Sequence, residues 1–233
     1  MATHTSAGLQ SPIKTKTHRG IAYPFCKRAF DLLVSALGLF FLSPIMVIVM
    51  IAIRLGSPGP AIYRGRRVGL NGRPFDILKF RTMVVDAERL GGSCTPDDDV
   101  RITKLGRWLR KSKLDELPQL VNVLLGEMSF VGPRPELERF TNMYDRRQRR
   151  ILSVKPGITD LATMWDSDEG AVLAGERDPE RVYREKILPT KLRLQLEYVQ
   201  SASFFLDLRI LVETLLLVSR RGVSITLNYR PHR

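Results

Sequence analysis

The sequence predicts an α+β protein that is mostly helical. Three observations predict this fold class. A long uncharged apolar segment near the N-terminus is interrupted by a proline close to its middle. Two short runs of apolar and aromatic residues flank a turn rich in Gly, Asn and Pro, which is typical of a β-hairpin. Apolar residues at helical spacing dominate the remainder of the chain.

The charge balance of the 233-residue chain is strongly basic, with 37 Lys and Arg against 24 Asp and Glu and a formal net charge of +13. Such an excess favours a polyanionic partner: nucleic acid, an anionic membrane surface or a phosphorylated substrate. The three histidines lie near the termini, which disfavours histidine general-base catalysis and a histidine-ligated metal. The two cysteines indicate neither a disulfide framework nor a Cys-rich zinc site.

The apolar segment runs from Leu32 to Ile53 without a charged residue. As a straight helix it would be about 33 Å long, enough to span a bilayer. A secretory signal peptide is disfavoured because the segment is too long and no small-residue cleavage site follows it. Pro44, preceded by Ser43, removes a helix hydrogen bond and predicts a kink.

The flanks of this segment are basic on both sides, which contradicts the orientation signal of a simple span because basic flanks prefer the cytoplasm. A helix-break-helix with both ends on one side resolves the conflict. From the residues alone, this hairpin and a kinked span both remain open. A buried core helix is disfavoured because the domain is too small to enclose it. Asp31 and Arg28 at the start of the segment could pair with each other or with lipid headgroups.

The rest of the chain divides at turn clusters. Ser57 to Pro60 separates the apolar segment from a β-hairpin made of 61–63 and 75–80. We predict four parts: a flexible tail (1–24), a membrane anchor broken at Ser43-Pro44 (25–58), a compact domain (59–200), and a C-terminal amphipathic helix with a tail (201–233).

A basic amphipathic helix is predicted over 101–111. At 100° per residue, its cations cover one arc and its apolar residues, including Trp108, cover the other. This pattern suits a helix lying in a membrane interface, and equally a surface helix packed on the core.

An adjacent acidic pair, Asp115-Glu116, follows this basic run. Ser112 is a plausible N-cap and Pro118 fits a first turn, so we place the pair at a helix N-terminus. That position favours ionised carboxylates and bound phosphate. One carboxylate could attack while the other holds a metal, but acids in a first turn also occur simply because they cap helices.

Cations near the pair come from two further motifs. Arg134 lies between Pro133 and Pro135, which fix its backbone and aim one guanidinium suited to bidentate phosphate contact. Lys79 and Arg81 end the second hairpin strand. Scattered cations are usually solvated, so each is weak evidence alone.

Two Asp-x-Asp motifs, 97–99 and 166–168, are rival metal signals. This motif binds a metal–nucleotide complex in many soluble glycosyltransferases, but it is short and occurs often by chance. The sequence holds no Gly-x-Gly-x-x-Gly, P-loop or Gly-x-Ser-x-Gly motif, so dinucleotide, P-loop and serine-hydrolase functions have no support.

Five motifs in order resemble those of the bacterial sugar transferases, the monotopic phosphoglycosyl transferases. They are Lys-Phe-Arg-Thr-Met (79–83), Arg-Ile-Thr-Lys-Leu-Gly-Arg (101–107), Leu-Asp-Glu-Leu-Pro-Gln-Leu (114–120), Met-Ser-Phe-Val-Gly-Pro-Arg-Pro (128–135) and Lys-Pro-Gly-Ile-Thr (155–159). The match covers roughly 24 to 160. It implies a re-entrant membrane helix hairpin broken at Ser43-Pro44, a small β-hairpin and amphipathic interface helices around a compact catalytic domain.

The resemblance also implies a reaction, in which a sugar 1-phosphate passes from a UDP-sugar to undecaprenyl phosphate with release of UMP. It implies Mg²⁺ as cofactor, Asp115 as a covalent nucleophile and Glu116 as a magnesium ligand. The residues that would handle phosphates or nucleotide are Lys79, Arg81, Arg107, Arg110, Pro133, Arg134 and Pro135.

The expected partners are the UDP-sugar, undecaprenyl phosphate and membrane lipids, with no nucleic acid and with a homodimer to be tested. The expected location is the cytoplasmic face of the bacterial inner membrane, where the enzyme would start a surface glycan or glycoconjugate. A metal-dependent glycosyltransferase using Asp97 or Asp166 and a non-enzymatic basic membrane scaffold are the alternatives. The chain departs from the commoner family pattern after Thr159, which leaves the sugar and the role of 160–185 open.

Overall fold

The computed structural model describes residues 22–92, 94–165 and 169–220. The chain in these ranges is mostly helical, as predicted, with two small sheets. The helices are α1 (Ala22–Gly56), α2 (Ala87–Leu90), α3 (Lys104–Lys111), α4 (Gln119–Leu125), α5 (Glu138–Thr141), α6 (Leu161–Trp165), α7 (Glu169–Leu173), α8 (Pro179–Val182), α9 (Leu188–Ser201) and α10 (Phe204–Arg220). The strands are β1 (Ile62–Val68), β2 (Pro74–Phe80), β3 (Ser129–Val131) and β4 (Gly157–Thr159). The predicted tails, up to residue 21 and from 221 onward, lie outside the described residues.

Helix α1 is a single long apolar helix that starts before and ends after the predicted apolar segment. It is long and apolar enough to cross a membrane. Pro44 lies inside it, and the Ser43 hydroxyl donates to the Phe40 carbonyl at 2.8 Å, one turn before the proline. The proline does not end the helix, so the predicted reversal of a hairpin is not confirmed.

The predicted β-hairpin is confirmed as an antiparallel pair in which Ile62 lies opposite Phe80 and Val68 opposite Pro74. Its tight turn needs two residues in the left-handed region, and Asn71 and Gly72 adopt φ values of 56° and 76°. These residue types tolerate that conformation, which explains why the sequence signal for the turn was strong. The hairpin carries Lys79 on β2 toward the acidic pair.

The predicted basic helix is shorter than the sequence indicated, because α3 begins at Lys104. Thr103 caps it, and its hydroxyl accepts from the Gly106 amide at 2.9 Å. Arg101 lies before the helix and forms an ion pair with Asp99 at 2.6 Å. Leu109 is fully buried, but Trp108 is 56% exposed, so the apolar arc divides between the core and the surface.

The second sheet is a short parallel pair, β3 with β4, which the sequence did not predict. It brings the segment after the acidic pair against the Lys155–Thr159 motif. Gly157 permits this contact, because a Cβ at this position would lie 2.1 Å from the backbone nitrogen of Gly132. Helices α6, α9 and α10 pack on β3 around buried Val131, Leu194 and Tyr198.

Candidate active site

The acidic pair lies in a 3-10 turn, Leu114–Glu116, between α3 and α4. The predicted helix cap is wrong: Ser112 ends α3, and its hydroxyl donates to the carbonyls of Trp108 and Leu109. Lys113 then adopts a left-handed φ of 59°, which turns the chain so that the pair starts a new segment. The pair therefore precedes α4 by one short turn instead of forming its first residues.

Asp115 is a buried carboxylate, 6% exposed, and its Oδ1 has no hydrogen-bond partner among the described residues. Burial raises the pKa of this carboxyl, while the positive charge of Lys79 acts in the opposite direction. A buried carboxylate oxygen without a donor is costly unless a ligand or ion completes it. Asp115 thus has the environment of a reactive group rather than of a helix cap.

Glu116 is held by two cations. Lys79 Nζ lies 2.9 Å from its Oε1, and the Arg134 guanidinium donates to both carboxylate oxygens. Burial alone would raise the pKa of Glu116, but the charges of Arg134 and Lys79 outweigh it and hold this pKa well below its usual range. Glu116 is therefore a fixed anion at the centre of the site.

Arg134 is fixed at both ends. Its Nη1 also donates to the Ile158 carbonyl at 3.2 Å, and its own pKa is raised, chiefly by the charge of Glu116. The flanking residues Pro133 and Pro135 are buried, and the Pro133 carbonyl accepts from the Gly157 amide at 3.0 Å. The predicted aiming of one guanidinium by the Pro-Arg-Pro segment thus has a structural basis in the β3–β4 contact.

Three further predicted cations have different surroundings. Arg110 is half-buried, its Nη1 has no partner among the described residues, and its charge opposes the rise in the pKa of Asp115. Arg107 is exposed on α3. Arg81 is buried, and its Nη2 donates to the carbonyl and the hydroxyl of Ser57 at 2.8 Å each, so it ties β2 to the end of α1. The phosphate roles of Arg81, Arg107 and Arg110 stay predictions.

Two fully buried polar residues were missed from the sequence. Asp160 is fully buried and accepts a hydrogen bond from the Arg134 amide at 3.1 Å. Its spacing to Thr163, typical of a helix cap, could have marked it. Gln119 is also fully buried, and neither atom of its amide has a partner within the described ranges. Its apolar helix context gave no signal.

The carboxylates that could hold a divalent cation are Asp115 and Glu116. Mg²⁺ is often bound through one or two carboxylates with water and substrate phosphates as the remaining ligands, so two acids suffice. The unpartnered Oδ1 of Asp115 fits such a ligand. Both oxygens of Glu116 accept from Arg134, and Oε1 accepts from Lys79 as well, so a metal at Glu116 would compete with these two cations.

The rival Asp-x-Asp motifs do not form a comparable site where they are described. Asp99 accepts from the Arg101 side chain and backbone, which engages both its oxygens. Asp166 and Asp168 lie outside the described residues. Within those residues, no group of three or more His, Cys, Asp or Glu side chains could hold a metal.

The contacts of Arg28 and Asp31, at the start of the apolar segment, also differ from those that the sequence predicted. They do not pair with each other. The Arg28 guanidinium donates to the carbonyls of Val123 and Leu124 at 2.7 and 2.9 Å, and Asp31 accepts from the Ser129 hydroxyl and the Phe130 amide at 3.1 Å each. Both side chains therefore attach α1 to the domain that carries the acidic pair.

Comparison with known proteins gives a consistent result. The family model for bacterial sugar transferases matches residues 22–221. A UDP-N-acetylgalactosamine-undecaprenyl-phosphate N-acetylgalactosaminephosphotransferase of Aeromonas hydrophila is 35% identical over 83% of this chain and 43% of its own length. A UDP-glucose:undecaprenyl-phosphate glucose-1-phosphate transferase of Caulobacter vibrioides is 36% identical over 83% of this chain and 70% of its own length. The uncharacterized sugar transferase EpsL of Bacillus subtilis is 41% identical over 81% and 84%. The chain thus spans less than half of the Aeromonas protein and most of the other two.

Proposed function

Because the chain belongs to the bacterial sugar transferase family, we propose that it is a membrane-associated phosphoglycosyl transferase that moves a sugar 1-phosphate from a UDP-sugar to undecaprenyl phosphate. The names of its relatives support both substrates. The observation that carries the proposal is the buried, unpartnered Oδ1 of Asp115 beside a Glu116 that two cations hold in place. The sugar transfer would start the assembly of a surface glycan or glycoconjugate.

The first chemical step is attack by Asp115. A carboxylate oxygen forms a bond to the β-phosphorus of the UDP-sugar, and the bond from that phosphorus to the bridging oxygen breaks, so the electron pair leaves with UMP. The product on the protein is an acyl phosphate that carries the sugar. Such a mixed anhydride remains reactive enough to pass its phosphoryl group on.

The second step regenerates the carboxylate. A phosphate oxygen of undecaprenyl phosphate attacks the same phosphorus, and the bond to Asp115 breaks. Neither step needs a general base at its centre, because both nucleophiles are already anions. Phosphoryl transfer depends mainly on positioning and on neutralising charge. This agrees with the sequence, whose three histidines all lie near its termini, and with the cations that surround the pair.

Lys79 and Arg134 are proposed to bind the diphosphate. Both form ion pairs with Glu116. When the substrate brings its own negative charge, their donors can turn toward the phosphate oxygens and free Glu116 as a ligand for Mg²⁺. Mg²⁺, when bound, would neutralise charge on the diphosphate and on the departing UMP.

The active site must lie at headgroup height because one substrate is a lipid. The two ends of α1 support a re-entrant arrangement. Near its start, Lys27 pairs with Asp207 of α10 at 2.6 Å. Near its end, Val49 and Ile53 are buried against residues of β2 and α3, Phe80 and Leu109. A helix that crossed the membrane could not have both ends packed on one domain.

Apolar side chains between these two attachments are exposed, including Phe40, Phe41 and Ile48 at 73%, 69% and 65%. We propose that this middle part dips into the bilayer and bends at Pro44, with both ends on the cytoplasmic face. Exposed apolar residues of α10, such as Phe205, and Trp108 on α3 would lie in the same interface. Cysteine labels at positions 5 and 70 are then both accessible only from the cytoplasm. Labelling of the two from opposite sides would refute the arrangement.

The enzymatic proposal is tested with a panel of UDP-sugars, polyprenyl phosphate and Mg²⁺, with UMP as the measured product. We expect Asp115→Asn to lower UMP release by at least about a thousandfold, as removal of a nucleophile does. Incubation with the UDP-sugar alone should add the mass of a sugar phosphate to the wild-type protein and not to this variant. UMP release by Asp115→Asn at the wild-type rate would contradict the nucleophile.

The alternatives give different results in the same assay. A glycosyltransferase that uses Asp97 would release UDP and lose activity in Asp97→Asn, which we expect to retain it here. A non-enzymatic basic scaffold would release neither product. It would also bind polyanions with a steep dependence on salt and none on Mg²⁺.

A further inference from the structure

Asp160 occupies a junction between three segments. It is fully buried, directly after β4 and before α6. Its Oδ1 accepts from the Thr163 amide at 2.7 Å and from the Thr163 hydroxyl at 2.8 Å. Its Oδ2 accepts from the Arg134 amide at 3.1 Å and from Gln195 Nε2 at 3.0 Å. The carboxylate therefore receives four donors from α6, α9 and the Pro-Arg-Pro segment.

A helix cap explains only half of these bonds. Capping α6 needs one oxygen, which the Thr163 contacts occupy. The second oxygen, Oδ2, accepts a hydrogen bond from the amide of Arg134, which lies 26 positions earlier in the chain. Pro133 and Pro135 have no N–H, so this amide is the one backbone donor of the Pro-Arg-Pro segment. An anionic acceptor makes the bond to it stronger than a neutral one would be.

Helix α9 supplies the second donor to Oδ2 of Asp160. Gln195 is fully buried on that helix, and its Nε2 donates to Asp160. Two donors from different segments thus hold Oδ2 in place. The guanidinium of Arg134 is held separately, by Glu116 and the Ile158 carbonyl. The backbone amide and the guanidinium of Arg134 are therefore held by separate hydrogen bonds.

We infer that Asp160 is a positioning residue, which sets the place of Arg134 over the acidic pair by holding its backbone amide. The inference rests on the proposed function for its effect on the reaction, but the contact itself does not depend on that function. Arg134 donates to both oxygens of Glu116, and a bidentate contact tolerates little displacement. Loss of the hydrogen bond from the Arg134 amide to Asp160 would let the guanidinium move relative to the phosphate that it must bind.

The first test is Asp160→Asn, which keeps the shape of the side chain and turns one acceptor into a donor. Either the Thr163 pair or the Arg134–Gln195 pair must then face an NH₂ group. We expect kcat for UMP release to fall by about tenfold or more, as for other losses of orientation, with a smaller change in KM for the UDP-sugar. Thr163→Val is the matched control, because it removes the hydroxyl bond to the same carboxylate and leaves the Arg134 contact. It should retain kcat within about twofold.

A purely structural role would reduce activity in any background, so the second test is a double-mutant cycle. In an Arg134→Lys protein, which keeps the charge and loses the bidentate contact, Asp160→Asn should change kcat by less than about twofold. An equally large loss of kcat in both backgrounds would overturn the inference.

The third measurement needs no activity. Hydrogen exchange at the Arg134 amide should be at least about tenfold faster in Asp160→Ala, which removes both side-chain oxygens and so the acceptor of this amide, than in the wild type, and unchanged in Thr163→Val. Unchanged protection in Asp160→Ala would overturn the inference even if activity falls. If the wild type releases UMP from no UDP-sugar, the proposed function fails, while the exchange result still decides whether Asp160 holds Arg134.

Discussion

Two cations contact Glu116, although one would be enough to neutralise a single carboxylate. Lys79 and Arg134 both contact it, and their charges hold its pKa well below its usual range despite burial. Because these cations occupy the oxygens of Glu116, a metal that binds Glu116 competes with them. The site should therefore bind a divalent cation weakly alone and more tightly together with the diphosphate.

Replacement of Lys79 tests this competition. We expect Lys79→Met to bind Mn²⁺, used as a probe for Mg²⁺, at least about threefold more tightly than the wild type without nucleotide, because one oxygen of Glu116 loses a competing cation. The same change should lower kcat/KM for the UDP-sugar by at least about tenfold, because a phosphate ligand is lost. Titration calorimetry measures the first effect and UMP release the second.

The control for this experiment is Lys104→Met, which removes an exposed lysine from α3 and should change neither quantity. A Lys79→Met protein with wild-type affinity for Mn²⁺ would show that the cations and the metal do not compete for Glu116.

The two thiols differ in burial and should differ in reactivity. Burial, together with the charge of Glu169, raises the pKa of Cys94 to about 11. Since the thiolate is the reactive form, about one Cys94 side chain in a thousand would be ionised at pH 8. Cys26 is exposed. In detergent at pH 8, iodoacetamide should modify Cys26 first, and Cys26→Ser should leave a slowly reacting protein. Equal rates at the two positions would contradict this environment for Cys94.

Elements with a local signal were predictable from the sequence. The hairpin turn needs left-handed residues and has Asn71 and Gly72, and the apolar run of α1 needs no partner to be recognised. The start of α3 was placed three residues too early, because the pairing of Arg101 with Asp99 competes with the helix. Ser112 was assigned to the wrong helix, because a hydroxyl that can cap one helix can also end another.

Elements that depend on distant contacts were not predictable. Strands β3 and β4 have three residues each and no alternation of apolar and polar residues that would mark them. The proximity of Asp115, Glu116, Lys79 and Arg134 could be expected only from the family resemblance. Asp160 acts on Arg134 across the parallel pair, and no local pattern reports such a contact.

The join between α4 and β2 depends on one buried amide. Asn122, which is 1% exposed, accepts from the Leu78 amide at 3.0 Å and donates to the Asp76 carbonyl at 2.8 Å. Asn122→Leu keeps the size of the side chain but leaves both backbone groups without a partner. We expect it to lower the free energy of unfolding by about 2–3 kcal/mol.

Chemical denaturation in detergent measures this change in stability. Asn142→Leu, at an exposed position, is the matched control and should change stability by less than about 0.5 kcal/mol. Similar stabilities of the two variants would show that the amide does not join these elements.

The whole molecule is organised around the attachment of α1. Its start is held by a buried cluster, in which Asp207 of α10 accepts from Tyr23, Lys27 and Tyr198 at 2.6 to 2.9 Å. Its end is held by apolar packing and by the bonds from Arg81 to Ser57. Between them lies the exposed apolar part that contains Pro44. The same cluster joins α1 to α9 and α10, so the positions of α1 and of the candidate active site are set together.

Two features should therefore keep the N-terminal end of α1 on the side of the domain: the bend expected at Pro44 and the Asp207 cluster. As a straight helix, α1 would be about 52 Å long, more than enough to span a bilayer. Pro44→Ala restores the missing helix hydrogen bond and favours a straight helix. Asp207→Ala leaves Lys27 without its ion-pair partner and weakens the attachment of the N-terminal end. We expect the double variant, in vesicles of known orientation, to show a minority of molecules with a cysteine label at position 5 accessible from the opposite side. Each single variant should show less, because either remaining feature still opposes the span, and the basic residues before α1 resist translocation.

The label at position 70 should stay on the original side in every variant, and Pro58→Ala, in the exposed turn after α1, is the control for loss of a proline alone. A double variant with the wild-type labelling pattern would mean that neither the bend nor the cluster determines the topology, and that the contacts of Arg28 and Asp31 or the basic N-terminal residues suffice.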